Sequence, residues 1–226
     1  MKKEKMRAGI IDLLINKAAM KQDIADYSGE VFSSFKRILK DEIAEIEKSI
    51  NDKRIRLRFE ESGKHVFRLF VGSDVLIFQL HTNVFRLIDS DPLWQTEYLK
   101  SNGANGFFGM INIYNFLAES YEQNRYNDAG CLIGRVFMNH DHHFMLEGKG
   151  QLGTLFKDLE NGYVSDGIIR QIIQTTIIHA IDFDLITPPY EMTKNVSLGQ
   201  VQAISSDLQL STGKSLGFKF SSEDQK

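Results

Sequence analysis

The chain has 226 residues, of which 42% are hydrophobic and 25% charged, a balance that is typical of a folded globular protein and excludes a disordered one. Its net charge of −3 provides no basic footprint for nucleic acid, and its single cysteine, Cys131, excludes an internal disulfide framework and a thiolate-rich zinc site. No segment approaches the roughly 20 apolar residues of a membrane span, and no secretory leader follows the basic N-terminus, so we expect a cytoplasmic protein.

Residues 1–52 are predicted to form a helical region, because apolar residues recur there at spacings of three and four. One apolar stripe runs from Met6 to Ile24 and a second from Val31 to Ile50. Tyr27-Ser28-Gly29 indicates a break between two helices, with Ser28 as the N-cap of the second. We therefore expect two helices or a helical hairpin, which pack either on the protein's own sheet or against the same helices of another subunit.

The hydrophobic period changes to two after this helical region, which predicts a meander of antiparallel strands. Arg54, Arg56 and Arg58 would form a basic row on the first strand. We expect that row to face solvent and to pair with the neighbouring carboxylates of Glu60 and Glu61, the alternative being a surface for phosphate or an acidic partner.

A long irregular segment, residues 88–109, follows the meander, and loops of this length often carry binding surfaces. Its candidate ligand or partner surface consists of four aromatic residues, Trp94, Tyr98, Phe107 and Phe108. An equally plausible role for these rings is to anchor the loop on the core. The next stretch, from Phe107 to Leu117, is apolar on both faces and predicts a central strand in which Asn112 and Asn115 are buried.

The clearest β-hairpin in the sequence lies between Cys131 and Gly153 and has a histidine-rich tip. A two-residue turn at His140-Asp141 would pair Asn139 with His142 across the two strands. Because successive strand residues point to opposite faces, His142 and His143 are predicted to face away from each other.

The alternative hypothesis for the hairpin tip is a metal site formed by His140, Asp141 and His142. These side chains would have to converge on one point, with a fourth ligand such as His179 supplied by a helix. We favour a solvated polar turn with one histidine packed on the sheet, and we predict no cofactor.

The exit from the hairpin is glycine-rich, Gly148-Lys149-Gly150-Gln151-Leu152-Gly153, and leads into a short predicted helix over residues 154–160. Lys149, Gly150 and Gly153 are the candidate phosphate ligands, because backbone N–H groups before a helix bind anions. A dinucleotide fold requires parallel strands, however, whereas this strand closes an antiparallel hairpin. We therefore favour glycines that only let the chain turn from sheet to helix.

An isoleucine-rich helix is predicted from Val164 to Ala180, with Ser165 or Asp166 as its N-cap and its apolar side chains buried against the sheet. A short helix beginning at Ser197 and an edge strand over residues 215–220 are predicted after it.

These elements together predict an α+β fold in which an antiparallel sheet of about six to seven strands packs against the N-terminal helical region and C-terminal helices. The predicted divisions are a helical region at residues 1–52, a sheet domain at 53–220 and a tail at 221–226. The sequence lacks a nucleophile elbow, a P-loop, a zinc signature and a kinase motif set.

These absences favour a non-catalytic module that binds a ligand or a protein partner, with self-association through the N-terminal helices left open. The alternative is a metal- or phosphate-dependent enzyme that uses the His140–His143 tip and the Gly148–Gly153 loop.

Overall fold

The computed structural model describes residues 2–184, 187, 189–195 and 197–199. The predicted edge strand at 215–220, the tail at 221–226 and most of the short helix predicted from Ser197 lie outside the described residues.

One continuous helical run opens the chain and extends from Lys2 to Glu47. It consists of α1 (Lys2–Asp12), a π-helical segment (Leu13–Ala18) and α2 (Ala19–Glu47). The predicted break at Ser28 is wrong, because the Ser28 hydroxyl donates to the carbonyl oxygen of Ile24 at 2.6 Å within α2. A Cβ at Gly109 would lie 1.8 Å from the Ser28 hydroxyl, so close helix–sheet packing continues past the predicted break.

Seven strands form one antiparallel sheet, which confirms the predicted α+β class. The strands are β1 (Leu57–Glu61), β2 (Val66–Val71), β3 (Asp74–Leu80), β4 (Phe85–Arg86), β5 (Phe107–Leu117), β6 (Cys131–Met138) and β7 (Phe144–Gly148). Their order is β1-β2-β3-β5-β6-β7, and the short β4 pairs with β5 outside this path. The predicted central strand, β5, therefore lies between β3 and β6, and it buries Asn112 and Asn115 as expected.

The remaining helices are shorter than α2. They are α3 (Glu97–Ser101), α4 (Ala118–Glu122), α5 (Leu152–Leu155), α6 (Asp166–Ile181) and α7 (Tyr190–Thr193), with 3₁₀ turns at Pro92–Gln95 and Gly103–Gly106. Ser165 is the N-cap of α6, since its hydroxyl oxygen accepts a hydrogen bond from the backbone N–H of Ile168. Within the described residues, no helix combines the length and the apolar composition needed to cross a lipid bilayer.

The main hydrophobic core lies between the sheet and the two helices α2 and α6. Alternate residues of β2 and β3 point into it, and the side chain of Phe67 is fully buried there. The ring centroid of Phe67 lies 4.7 Å from that of Phe78 and 4.9 Å from that of Phe32 on α2. Helix and sheet residues thus share one core, and the division of the chain at residue 52 stays a prediction.

A partly buried ion pair joins α2 to α6. The Glu42 carboxylate, on the buried face of α2, pairs with the guanidinium of Arg170 and accepts a hydrogen bond from the side-chain amide of Gln174 at 2.6 Å. Both carboxylate oxygens therefore have partners, which offsets the cost of removing the charge from water.

The predicted arginine row is paired with carboxylates, although not with both of those expected. Arg58 lies 3.1 Å from Glu60, and Arg56 lies 3.4 Å from Glu122 of α4. Glu61 instead accepts a hydrogen bond from a lysine of α2. These pairs are largely exposed, so each adds less than about 1 kcal/mol to stability.

Truncation of Phe67 to alanine should destabilise the fold severely. The ring is fully buried among other phenylalanines, so Phe67→Ala leaves a cavity and should lower the free energy of unfolding by about 3–5 kcal/mol. Urea denaturation followed by circular dichroism measures this change. The matched control is Phe85→Ala on β4, where the side chain is 38% exposed and we expect a loss below about 1 kcal/mol. Equal losses for the two variants would contradict the assigned core.

Candidate functional site

The hairpin tip is longer than the sequence predicts. β6 and β7 pair Phe137 with Met145, one residue beyond the predicted partner. The loop therefore spans Asn139 to His143, and the two-residue turn predicted at His140-Asp141 is wrong. His142 takes a positive φ of 66° to complete the reversal, a conformation in which histidine is enriched among non-glycine residues.

The side chain of Asn139 organises this loop. It is fully buried, and its oxygen accepts hydrogen bonds from the backbone N–H groups of Asp141 (3.2 Å) and His143 (3.0 Å). Its nitrogen donates to the Tyr98 hydroxyl (2.9 Å) and to the carbonyl oxygen of Asn105 (3.3 Å). The tip is thereby tied to the segment that precedes β5. No sequence motif marks Asn139; the one local signal is that asparagine commonly hydrogen-bonds nearby backbone in turns.

His143 is a structural residue. It is buried, and its Nδ1 lies 2.8 Å from the carbonyl oxygen of Leu159, so Nδ1 carries the hydrogen of this contact. Its ring stacks on Tyr98 at 4.6 Å between centroids, and the ring of Tyr163 lies 4.1 Å away. His143 is thus the buried histidine of the tip, and the rings that it contacts, Tyr98 and Tyr163, lie outside the sheet.

The other two histidines of the tip contact different neighbours. His142 stacks on Tyr27 of α2, with centroids 4.1 Å apart and planes 8° from parallel. His140 Nδ1 lies 3.0 Å from an Asp141 carboxylate oxygen, while its buried Nε2 has no hydrogen-bond partner. His142 and His143 thus have separate sets of contacts, but the cause is a loop conformation and not the strand alternation that we predicted.

The structure does not assemble the predicted metal ligands. Across the part of the chain that the structure describes, no group of three or more His, Cys, Asp or Glu side chains is arranged to hold a metal ion. His140 and Asp141 are close together, whereas His142 stacks against α2. The predicted fourth ligand, His179, has a pKa that is lowered chiefly by burial.

Tyr98 stays neutral at physiological pH. Desolvation raises the pKa of its hydroxyl from 10.0 to about 12; the hydrogen bond from Asn139 opposes this shift and the nearby Asp141 carboxylate adds to it. A neutral hydroxyl can donate to the Asp141 carboxylate, which lies 3.3 Å away. Tyr98 therefore links the loop before β5 to both ends of the hairpin tip.

The glycines of the hairpin exit allow the chain to turn from β7 into α5. A Cβ at Gly153 would lie 2.1 Å from the carbonyl oxygen of Gly148, and Gly150 has a positive φ of 53°. The backbone N–H of Lys149 donates to Ile133, and that of Gly153 donates to Gly150. The N–H groups of Lys149 and Gly153 that a phosphate would need are already used, and the helix that follows, α5, is only four residues long.

The four aromatic residues predicted as a binding surface have different environments. Phe108 is fully buried in a small core beneath the loop, and Tyr98 and Trp94 pack against the same core. The indole N–H of Trp94 also donates to the carbonyl oxygen of Ile88 at 2.8 Å. Phe107 alone of the four lines an open groove, so the alternative role as loop anchors fits the other three.

That groove has a volume of about 610 Å³ and separates the N-terminal helical run from the hairpin tip. It is lined by Ile15, Asn16, Lys17, Ala19, Met20, Asp23, Ala104, Phe107 and His140. The ammonium groups of Lys17 and Lys21 lie 5.8 and 5.6 Å from the centroid of the Phe107 ring, within range of cation–π attraction. The groove is mainly apolar, with charged groups at its edges.

The helix beside the groove carries exposed apolar side chains. Six aliphatic side chains of this segment are each between 48% and 66% exposed, and we call this set the docking face: Met6, Ile10, Ile11, Leu13, Leu14 and Ile15. A π-turn holds about one residue more than an α-turn, so the segment at 13–18 rotates the upstream helix by roughly 100° relative to the buried face of α2. Of the stripe predicted from Met6 to Ile24, only Ile24 reaches the core.

A second, smaller pocket of about 220 Å³ lies beside α4. The Ser120 hydroxyl donates to the Asp128 carboxylate at 2.5 Å, and the guanidinium of Arg125 lies 3.0 Å from the same carboxylate. No histidine is among the described residues that line this pocket, so Ser120 lacks the base of a serine nucleophile. These groups close the loop after α4.

In comparisons with known proteins, no family model, no curated protein and no solved structure matches this chain.

Removal of the Tyr98 hydroxyl should weaken the hairpin tip and change the alkaline stability of the protein. Tyr98→Phe keeps the stacked ring but leaves one donor of buried Asn139 unpaired, so we expect a loss of about 1–2 kcal/mol at neutral pH, measured by urea unfolding. In the folded protein the pKa of Tyr98 is raised from 10.0 to about 12. The stability that Tyr98 contributes to the wild type is therefore fully present below pH 10 and is lost as the pH rises to about 12.

Tyr98→Phe should not show the loss of stability above pH 10 that ionisation of Tyr98 causes in the wild type. The control Tyr126→Phe, at a side chain that is 87% exposed, should behave as wild type. If the stability of the wild type and of Tyr98→Phe changed in the same way between pH 10 and about 12, the partly buried, hydrogen-bonded position of the Tyr98 hydroxyl would be refuted.

Proposed function

We propose that this chain is a non-catalytic interaction module that binds a protein partner through the docking face and the adjoining groove. The observation that carries this proposal is the run of six aliphatic side chains, all about half or more exposed, on one short stretch of helix. Ile15 belongs to the docking face and also lines the groove, so the two form one continuous surface.

The size of this surface supports a binding role. Six half-exposed aliphatic side chains present on the order of 500 Å² of apolar surface, which is near the upper end for the largest patch on a monomer. Covering that area would contribute on the order of 10 kcal/mol before the costs of association, at about 25 cal/mol per Å². Such a surface is therefore suited to recognition by a protein with a complementary apolar face.

The contacts at the hairpin tip support binding over catalysis. Asn139, Tyr98 and His143 are engaged in hydrogen bonds and ring stacking that hold the loop together, and His142 stacks on α2. A catalytic site needs a base, an orienting group and a place for substrate within hydrogen-bond reach of one another. The tip instead contributes His140 to the lining of the groove.

The partner in this proposal is either a different protein or a second copy of the chain, which is the homo-oligomer expected from the N-terminal helices. A cytoplasmic location stays a prediction. Both kinds of partner would contact the same aliphatic side chains, so one variant tests the surface for both.

Charges placed on the docking face should abolish partner binding without unfolding the protein. In Ile10→Glu/Leu14→Glu both side chains are exposed, so the free energy of unfolding should change by less than about 1 kcal/mol. Affinity capture from a lysate of the native cells, quantified by mass spectrometry, should lose the proteins that the wild type retains. An untagged copy of the chain is expressed together with the tagged one, so that self-association is detected in the same experiment.

The matched control is Ile88→Glu, which places the same charge on a side chain that is 69% exposed elsewhere on the fold. Ile88→Glu should retain every partner. Equal recovery of partners by the wild type and by Ile10→Glu/Leu14→Glu would show that the docking face is not the binding surface.

A further inference from the structure

We infer that the occupant of the docking face is a second copy of this chain, whose own docking face lies antiparallel against the first in a two-fold symmetric dimer. This inference rests on the proposed function and names its partner. Helices crossing near Leu14 and Ile15 would bring Met6, Ile10 and Leu14, which lie at successive helical turns on one side, against the apolar surface of the other copy.

The groove fits this arrangement. In an antiparallel pair that crosses between Leu14 and Ile15, residues equally far before and after the crossing lie opposite each other. Ile10 of one copy then falls opposite Ala19 and Met20 of its partner, which line the groove. The small side chain of Ala19 leaves room for the incoming isoleucine, and the symmetry of the pair fills both grooves in the same way.

The charges of the helix also match in this register. The exposed side chains of Lys3 and Arg7 lie one turn apart on the first part of α1. In the same antiparallel register Lys3 falls opposite Asp26, and Arg7 falls opposite Gln22, next to Asp23; both aspartates are exposed on α2. Residues 22–30 contain three acidic residues and no basic one, so the basic end of one helix meets an acidic stretch of the other.

The area is that of a stable dimer. A standard interface buries about 800 Å² on each partner, and homodimer interfaces are about 65% apolar, which corresponds to roughly 500 Å² of apolar surface. The docking face alone presents an area of that order, to which the groove wall adds.

Sedimentation equilibrium tests the dimer directly. The wild type and Ile88→Glu should have twice the 25.8 kDa mass of the chain, and Ile10→Glu/Leu14→Glu should have the mass of one chain. Lys3→Asp and Asp26→Lys should each weaken dimerisation roughly tenfold or more, because each puts like charges opposite each other, and the combined variant should restore it. Failure of the combined variant to restore the dimer would overturn the antiparallel register.

Crosslinking in a Cys131→Ser background tests the orientation of the helices. Leu14→Cys lies at the two-fold axis, so a short bismaleimide should join two copies rapidly. Ile10→Cys is the matched control: the two copies of residue 10 would lie about 13 Å apart along the helix axes, at 1.5 Å per residue, and should crosslink poorly. Crosslinking of both positions at equal rates would indicate parallel helices and overturn the inference.

A wild type that sediments as a single chain at every concentration also overturns the dimer. In that case, loss of a captured foreign protein by Ile10→Glu/Leu14→Glu would leave the proposed function standing, with a different partner. Co-sedimentation of the single chain with anionic phospholipid vesicles, together with capture of no protein, would overturn both.

Discussion

The packing of α2 on the antiparallel sheet is the interaction on which the rest of the structure depends. Phe32 and Phe35 project from the helix onto the rings of Phe67 and Phe78, and this aromatic layer fixes where the helix lies. The buried face begins at Ile24, whereas the helical run begins at Lys2. The aliphatic side chains of the docking face precede that point, and they are exposed to solvent in the part of the chain that the structure describes.

The polar hairpin tip has a structural role that complements this helix. Asn139 satisfies backbone and side-chain groups on both sides of the loop, and Tyr98 and His143 stack beneath it. His142 then stacks on Tyr27 and joins the tip to α2. Residues that suggest metal or acid–base chemistry when read along the sequence are therefore engaged in holding one wall of the groove in place.

An apolar helix face beside a braced groove is the feature that distinguishes this chain from an ordinary α+β domain. The sheet and the aromatic core provide a rigid base, and the π-helical segment turns the upstream residues away from the line of the buried face. Apolar side chains in water favour any arrangement that covers them, and the charges along the helix then select among such arrangements. Affinity and register in the proposed pairing thus come from different residues of the same helix.

The sequence by itself determined the α+β class, the central position of β5, and the isoleucine-rich helix with a cap at Ser165 or Asp166, because alternation and capping are local patterns that survive in almost any environment. Only the tertiary structure decided the continuity of the helix through Ser28, the longer loop around Asn139 and the exposure of the docking face. Periodicity states which side chains share a face of a helix or strand. It contains no information on what covers that face, since cover depends on contacts between residues far apart in the chain.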